Sequence, residues 1–178
     1  MIVLGDYTID KITVEDAVGI HILMVSNAER FQRFFPKTLE QNLSLESARL
    51  FAAKKVNEFN ANEEFLFCVK EGKTNQAIGL VYIKELDWEK KQGEFAYCID
   101  FNHENKGLMS KLVEALSTVA FTKLGLKTLQ IIVHKSNIGS VKVAKNCKFI
   151  WQKTLQNEYT LPNESPLDME LYELYNER

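Results

Sequence analysis

Long apolar runs are missing from this 178-residue sequence; none approaches the roughly 20 consecutive apolar residues that a membrane span needs. The N-terminus lacks a basic segment followed by an apolar block, so no secretory signal is expected. Cysteine is scarce: Cys68, Cys98 and Cys147 are odd in number, far apart and without a CxxC pair. That argues against a disulfide framework and suits reduced thiols in a cytoplasmic protein. Histidine is as rare, and His21, His103 and His134 show no metal-ligand spacing with one another or with the cysteines. No metal site is expected. Repeats, low-complexity tracts and interdomain linkers are absent too, and the length suits one domain, 1–178, with a real core.

The composition that remains is ordinary for a globular chain, 46% apolar and 26% charged. The net charge of -2 hides an asymmetry. Between His103 and Lys148 stand eight lysines against Glu104 and Glu114, a local net of +6, which leaves about -8 for the rest. A basic segment in an acidic chain points to a local anion site; solvated helix faces are the plainer reading of any single lysine. No basic, aromatic RNA-binding motif accompanies it, so nucleic acid is not an expected partner.

The most informative stretch starts at Gly93 and ends at Ser110. Phe95, Tyr97, Ile99 and Phe101 alternate with Glu94, Ala96, Cys98 and Asp100, which predicts a strand with two distinct faces. A polar turn, His103-Glu104-Asn105-Lys106-Gly107, follows. Leu108, Met109, Leu112, Val113, Leu116, Val119, Ala120 and Leu124 then recur at spacings of three and four, predicting an amphipathic helix. The start of such a helix carries unpaired N–H groups and the positive end of the helix dipole, which suit a phosphate.

Around this stretch the pattern predicts a strand over 7–12 and a helix through Ala17, Ile20, Leu23 and Met24 with Thr13 as cap. Pro36 closes the basic, aromatic segment 30–36. A second helix follows, capped by Ser44 or Ser47. Residues 64–70 and 76–86 form a hairpin. After the long helix, Gly125 reads as a C-cap and Leu129–Val133 as a buried strand. A short helix opens near Asn137. Strands at 149–155 and 168–174 close the chain across a polar loop containing Pro162 and Pro166. The expected fold is a mixed α/β, mostly antiparallel sheet of about seven strands with flanking helices, one helix crossing over between the fourth and fifth strands.

Glu94-Phe-Ala-Tyr97-Cys-Ile-Asp100, Glu104-Asn-Lys-Gly107-Leu-Met109-Ser110, Asn137-Ile-Gly-Ser140 and Cys147-Lys-Phe149 resemble the GNAT acetyltransferase superfamily, in particular its ribosomal-protein N-terminal acetyltransferase branch. The resemblance implies that strands 4 and 5 splay apart around acetyl-CoA as co-substrate. Its pantetheine arm would pair with the backbone of Cys98, Ile99, Asp100 and Phe101. Its pyrophosphate would sit on the N–H groups of Asn105, Lys106, Gly107, Leu108, Met109 and Ser110. Asn137 would bind the pantetheine amides or serve only as a helix cap, and Lys106, Lys142 and Lys145 are the cations available for phosphate charge. Three positions depart from the branch's pattern. Glu104 stands where Gln or Arg is usual, Asn105 replaces Gly, and Lys148 replaces the Gly before Phe149. Asn105 fits if its turn is left-handed; Lys148 implies a turn built differently.

The implied reaction is N-acetyl transfer to a primary amine, either a protein N-terminus or a small amine such as a polyamine; a non-catalytic acyl-CoA-binding module is the alternative. Glu94 stands at the branch's Glu position and is the candidate base. Ser140 is the nearest family-matching hydroxyl for the acid role, because Ala144 stands where many members carry Tyr; Tyr159 is a looser option. The state expected is monomer or homodimer, with no membrane partner.

Overall fold

The computed structural model describes residues 1–161 and 164–176; Pro162 lies outside them. Eight strands and six α-helices run in the order β1 (Ile2–Leu4), β2 (Tyr7–Lys11), α1 (Ala17–Ser26), α2 (Ala28–Phe34), α3 (Pro36–Glu40), α4 (Leu45–Asn60), β3 (Phe65–Glu71), β4 (Ala77–Asp87), β5 (Gln92–Ile99), α5 (Leu108–Thr122), β6 (Thr128–Val133), α6 (Ile138–Asn146), β7 (Ile150–Tyr159) and β8 (Leu167–Tyr175). The strands hydrogen-bond in the order β1-β2-β3-β4-β5-β6-β8-β7. The eighth strand is β1, three residues long and paired with β2 across a two-residue turn. It is too short to show an alternation in sequence.

The chain packs as two compact units that both contain part of β5. The first holds Met1–Lys84 and Tyr97–Glu104. Here β3 and β4 are almost wholly buried, as strands covered on both faces are. Ala17, Ile20, Leu23 and Met24 bury the inner face of α1, and Ala48, Phe51 and Ala52 that of α4. Thr13 meets Asp16 in the predicted cap: the Thr13 N–H donates to Asp16 Oδ2 at 2.8 Å and Lys70 Nζ lies 2.5 Å from Oδ1. At α4 the Ser44 hydroxyl accepts from the Ser47 N–H at 3.1 Å. Pro36 both ends α2 and begins α3, at a first-turn position where a missing N–H costs nothing. Gly79 is fixed by proximity, since a Cβ there would stand 2.8 Å from the Cys98 carbonyl oxygen.

The second unit holds Glu85–Ala96 and the chain from Asn105 onward. β5 and β6 run parallel, as strands joined by a crossover helix must, in register from Gln92–Thr128 to Phe95–Ile131. β6 then pairs antiparallel with β8 along its whole length. Helix α5 buries Leu108, Met109, Leu112, Val113, Leu116, Ser117 and Ala120; against the predicted face Ser117 joins, Val119 is only half-buried, and Leu124 falls beyond the helix end. The Ser117 hydroxyl donates to the Val113 carbonyl at 2.7 Å, which satisfies it within the helix. Beyond α5, Gly125 is left-handed at φ 70°, as its cap role requires.

Candidate active site

In the first unit, β5 stops at Ile99 and the chain enters a 3-10 turn, Phe101–His103. The expectation that Phe101 continues a strand face is therefore corrected: its side chain is 65% exposed. The turn forms because the Asp100 carboxylate accepts the Asn102 N–H at 2.9 Å and interrupts the ladder. β5 doubles back on β4 and the Asp100 N–H bonds the Ile78 carbonyl at 2.7 Å. Alternation along the strand then turns the N–H and carbonyl of Ile99 away from β4. The Phe101 N–H is engaged as well, by Asn27 Oδ1 at 3.0 Å. Of the four residues expected to hold pantetheine, Asp100 and Phe101 thus have their N–H groups committed inside the protein, and the same alternation turns that of Cys98 toward β4.

Asn27, which sequence reasoning passed over, organises this corner. It is 4% exposed. Its Nδ2 donates to the Leu23 carbonyl at 3.0 Å and to Asp100 Oδ2 at 2.8 Å, and its Oδ1 also accepts from Arg30 Nη1 at 2.8 Å. Arg30 reaches on to an ion pair with Glu104 and lies over the rings of Phe31 and Phe101, 5.6 Å from each centroid. The atypical Glu104 carboxylate is thereby answered by a guanidinium. Burial works against the Asp100 charge, but the hydrogen bonds from Asn27, the Asn102 N–H and His103 outweigh it and hold the carboxyl below its usual range. The one signal in sequence was a lone amide next to the apolar run of α1.

The second unit presents the helix start. Gly107, at φ 69° and ψ 4°, caps α5, and a Cβ built on it would meet nothing within 4 Å. Asn105 is left-handed at φ 58°, as expected for Asn in place of Gly. The first helical hydrogen bond runs from the Lys111 N–H to the Gly107 carbonyl, so the N–H groups of Leu108, Met109 and Ser110 have no acceptor within the helix. Lys106 is exposed, and so are Lys142 and Lys145 on α6. An open, positive helix end is suited to a phosphate group.

Asn137 caps α6: its Oδ1 accepts the Ser140 N–H at 3.1 Å. Ser140 lies in the first turn of that helix. Lys148 takes φ 63°, a left-handed backbone. Glu94 is half-buried on β5, beside Gln130 in the parallel register. On the same face Gln92 donates to Gln130 at 3.0 Å and Gln130 to Glu173 at 2.6 Å, a polar row crossing β5, β6 and β8. Tyr159 closes β7, its hydroxyl pushed above the ordinary value by burial.

None of the cysteines is poised as a nucleophile. Burial pushes the Cys98 thiol up to about 12 and the Cys147 thiol up to about 11, and drives Cys68 upward too. Among the described residues no group of His, Cys, Asp and Glu could hold a metal ion, and no helix is long and apolar enough to cross a membrane.

The fold and the sequence both have known relatives. The family model for the acetyltransferase (GNAT) domain matches residues 7–150. An uncharacterised N-acetyltransferase of Bacillus licheniformis, p20, is 28% identical over 110 residues, 62% of this chain and 60% of that protein. The spermidine N(1)-acetyltransferase of Vibrio cholerae is 29% identical over 98 residues, 55% and 56% of the two chains. The match therefore spans less than two thirds of either relative's length. Among solved structures, the ribosomal-protein-S5-alanine acetyltransferase of Vibrio fischeri superimposes with a TM-score of 0.92 at 20% identity, over 99% of this chain and 96% of that one. The chain belongs to the GNAT acetyltransferase family and has its fold.

Proposed function

We propose that this protein transfers the acetyl group of acetyl-CoA to a primary amine, and that the amine is the N-terminal α-amine of a protein or peptide. The observation that carries the cofactor half is the start of α5: a left-handed Gly107 with open space where a side chain would stand, followed by helical N–H groups lacking internal acceptors. The pyrophosphate rests on Leu108, Met109 and Ser110, with Asn105 and Gly107 shaping the turn and Lys106, Lys142 and Lys145 supplying countercharge. Since the N–H groups of Asp100 and Phe101 are engaged and that of Cys98 faces β4, the pantetheine arm meets this edge at the N–H of Ile99. Asn137 offers its Nδ2 amide, because its Oδ1 serves the helix cap.

The acceptor half rests on acid–base arithmetic. An α-amine titrates near pH 8 and a lysine amine near 10.4, so only the α-amine is appreciably neutral at pH 7. Glu94 takes the amine proton through water, and Ser140 hands a proton to the departing thiolate. Three free, buried cysteines fit a reducing, cytoplasmic setting. Polyamine acetylation is the second reading, favoured by the sequence match to a spermidine acetyltransferase. The non-catalytic module loses ground, because Glu104 is paired with Arg30 and both Asn105 and Lys148 take left-handed conformations that a glycine would accept.

The test is thiol release from acetyl-CoA across a panel of peptides and amines. Peptides turned over at least tenfold better than spermidine support the α-amine, and the reverse order selects polyamines. Cofactor binding without turnover of any amine leaves only the module. Within the enzyme, Glu94→Gln lowers kcat about 10²–10⁴-fold, as removal of a general base does, and abolishes the acid limb of its pH profile. An unchanged profile removes Glu94 from the chemistry.

A further inference from the structure

Between α6 and β7 the chain passes through Lys148, and its left-handed backbone shortens the β7–β8 ladder. The first pair of that ladder is Ile150 with Glu173, the next Trp151 with Tyr172. Continued backwards, the same register would set Phe149 opposite Leu174 and Lys148 opposite Tyr175. An extended strand cannot run through φ 63°, and the Phe149 N–H turns back to the Ala144 carbonyl at 2.9 Å. The end of β8 is therefore left without a strand on that side. A cavity of about 580 Å³ opens there, with Phe121, Phe149, Ile150 and Leu174 as its apolar walls. Phe149 is buried and meets Phe95 edge-on, ring centroids 6.3 Å apart, so this wall is held in place. Size and lining are those of a small-molecule site. Phe121 stands on the last turn of α5, about 20 Å along the helix axis from Leu108, so the cavity is remote from the proposed pyrophosphate position.

The polar groups around the cavity are unevenly satisfied. Both oxygens of the Glu173 carboxylate are engaged, Oε1 by the Gln130 amide at 2.6 Å and Oε2 by the Tyr175 hydroxyl. The Lys148 ammonium has no ion pair or side-chain hydrogen bond among the described residues. The Asn176 N–H donates to the Lys127 carbonyl at 2.9 Å, so alternation turns the Tyr175 N–H away from β6 and toward the missing strand. Other charges nearby in the chain add to the positive side: Lys123 and Lys127 are exposed, while Glu114 lies about 10 Å from Phe121 along α5. Glu177 and Arg178, outside the described residues, contribute one charge of each sign. We propose that this cavity binds a small carboxylate with an apolar or aromatic body. The carboxylate meets the Lys148 ammonium and the Tyr175 N–H, a charge-assisted pairing, and the body lies against Phe121, Phe149 and Leu174. This gives the lysine a reason to be there. A glycine would make the turn without strain but would leave the cavity without its cation.

The test is a titration of the ¹⁵N-labelled full chain with 3-phenylpropionate, followed by amide chemical shifts. Saturable shifts are expected at Phe121, Ile150 and Tyr175, with the acid bound about tenfold more tightly than 3-phenylpropanamide. Lys148→Met, which keeps the length and removes the charge, abolishes that preference, and Lys148→Arg restores it. The comparison of acid with amide needs no variant, so it remains decisive if Lys148→Met fails to fold. An absence of saturable shifts overturns the proposal, as does a preference for the acid that survives Lys148→Met. Equal affinity for acid and amide overturns it in favour of an apolar partner surface. Shifts confined to Leu108, Met109 and Ser110 overturn it by placing the carboxylate at the start of α5.

Discussion

Replacing Asn27 with Ala probes how firmly the end of β5 is held. The side chain makes four hydrogen bonds, and they are not equivalent. The Asn27 N–H bonds Met24 rather than Leu23, so the buried Leu23 carbonyl depends on the Asn27 amide. Leaving it unsatisfied costs about 1–3 kcal/mol. The bond to Asp100 is charge-assisted and adds about 1 kcal/mol, because Asp100 keeps the Asn102 N–H as partner. Phe101 is exposed and water can take its N–H, so that loss adds little. Asn27→Ala should therefore lower stability by about 2–4 kcal/mol, a large share of a typical 5–15, seen as a fall in the urea midpoint at constant slope. The pH dependence follows from Asp100. Its carboxyl is held low in the folded protein, so its contribution is present above the unfolded value near 3.9 and disappears as pH falls through the folded one. The gap between wild type and variant should accordingly narrow below about pH 4. A loss under about 1 kcal/mol at neutral pH would refute the orphaned-carbonyl reasoning. A gap independent of pH would refute the part assigned to Asp100.

Lys55 makes contacts of 2.7 Å with Glu58 and 2.6 Å with Glu64 and lies 5.6 Å over the Tyr82 ring; Lys55→Ala takes that ammonium from Glu64 and leaves Glu58 only Lys54 at 3.6 Å, and should cost about 2–4 kcal/mol at pH 7 by chemical denaturation. Burial works against that ammonium, but the two glutamates outweigh it and raise its pKa, so its contribution is full below about pH 10.4 and fades as pH rises through the folded value; a wild type whose alkaline unfolding limb matches that of Lys55→Ala would contradict this. Gly107→Ala puts a Cβ on a left-handed residue, which should cost about 1–2 kcal/mol in stability. By calorimetry it should weaken acetyl-CoA at least tenfold; equal affinity would remove the pyrophosphate from that helix end. Lys148→Gly relieves left-handed strain at the expense of chain entropy, so melting should stay level or rise slightly. A fall of more than about 2 kcal/mol would show that the lysine side chain itself stabilises its turn.

What the sequence made legible divides along physical lines. Helix α5 and its glycine turn were readable because both signals are local: a repeat of three and four over fifteen residues, and a residue type able to turn left-handed. The β5–α5–β6 crossover followed from the order of elements alone. Where the fold was underread, the controlling interactions are long-range. β1 has three residues and exists because β2 pairs with it. Phe101 alternates correctly as a strand residue, yet the ladder ends first, because Asp100 bonds forward to Asn102 and sideways to Asn27, seventy-three positions away in the chain. No window of sequence contains that contact. The same holds for Glu104. Compared with a family pattern it looks like a misplaced charge, and only the fold shows that Arg30 stands against it. Lys148 is a third case: its left-handed backbone is one that a lysine disfavours, so neighbouring structure must impose it. Backbone conformation around the proposed cofactor site is thus set more by tertiary packing than by which residue occupies each turn. That is why a chain only 20% identical to a solved acetyltransferase superimposes on it over nearly its whole length, while its acceptor still has to be found by assay.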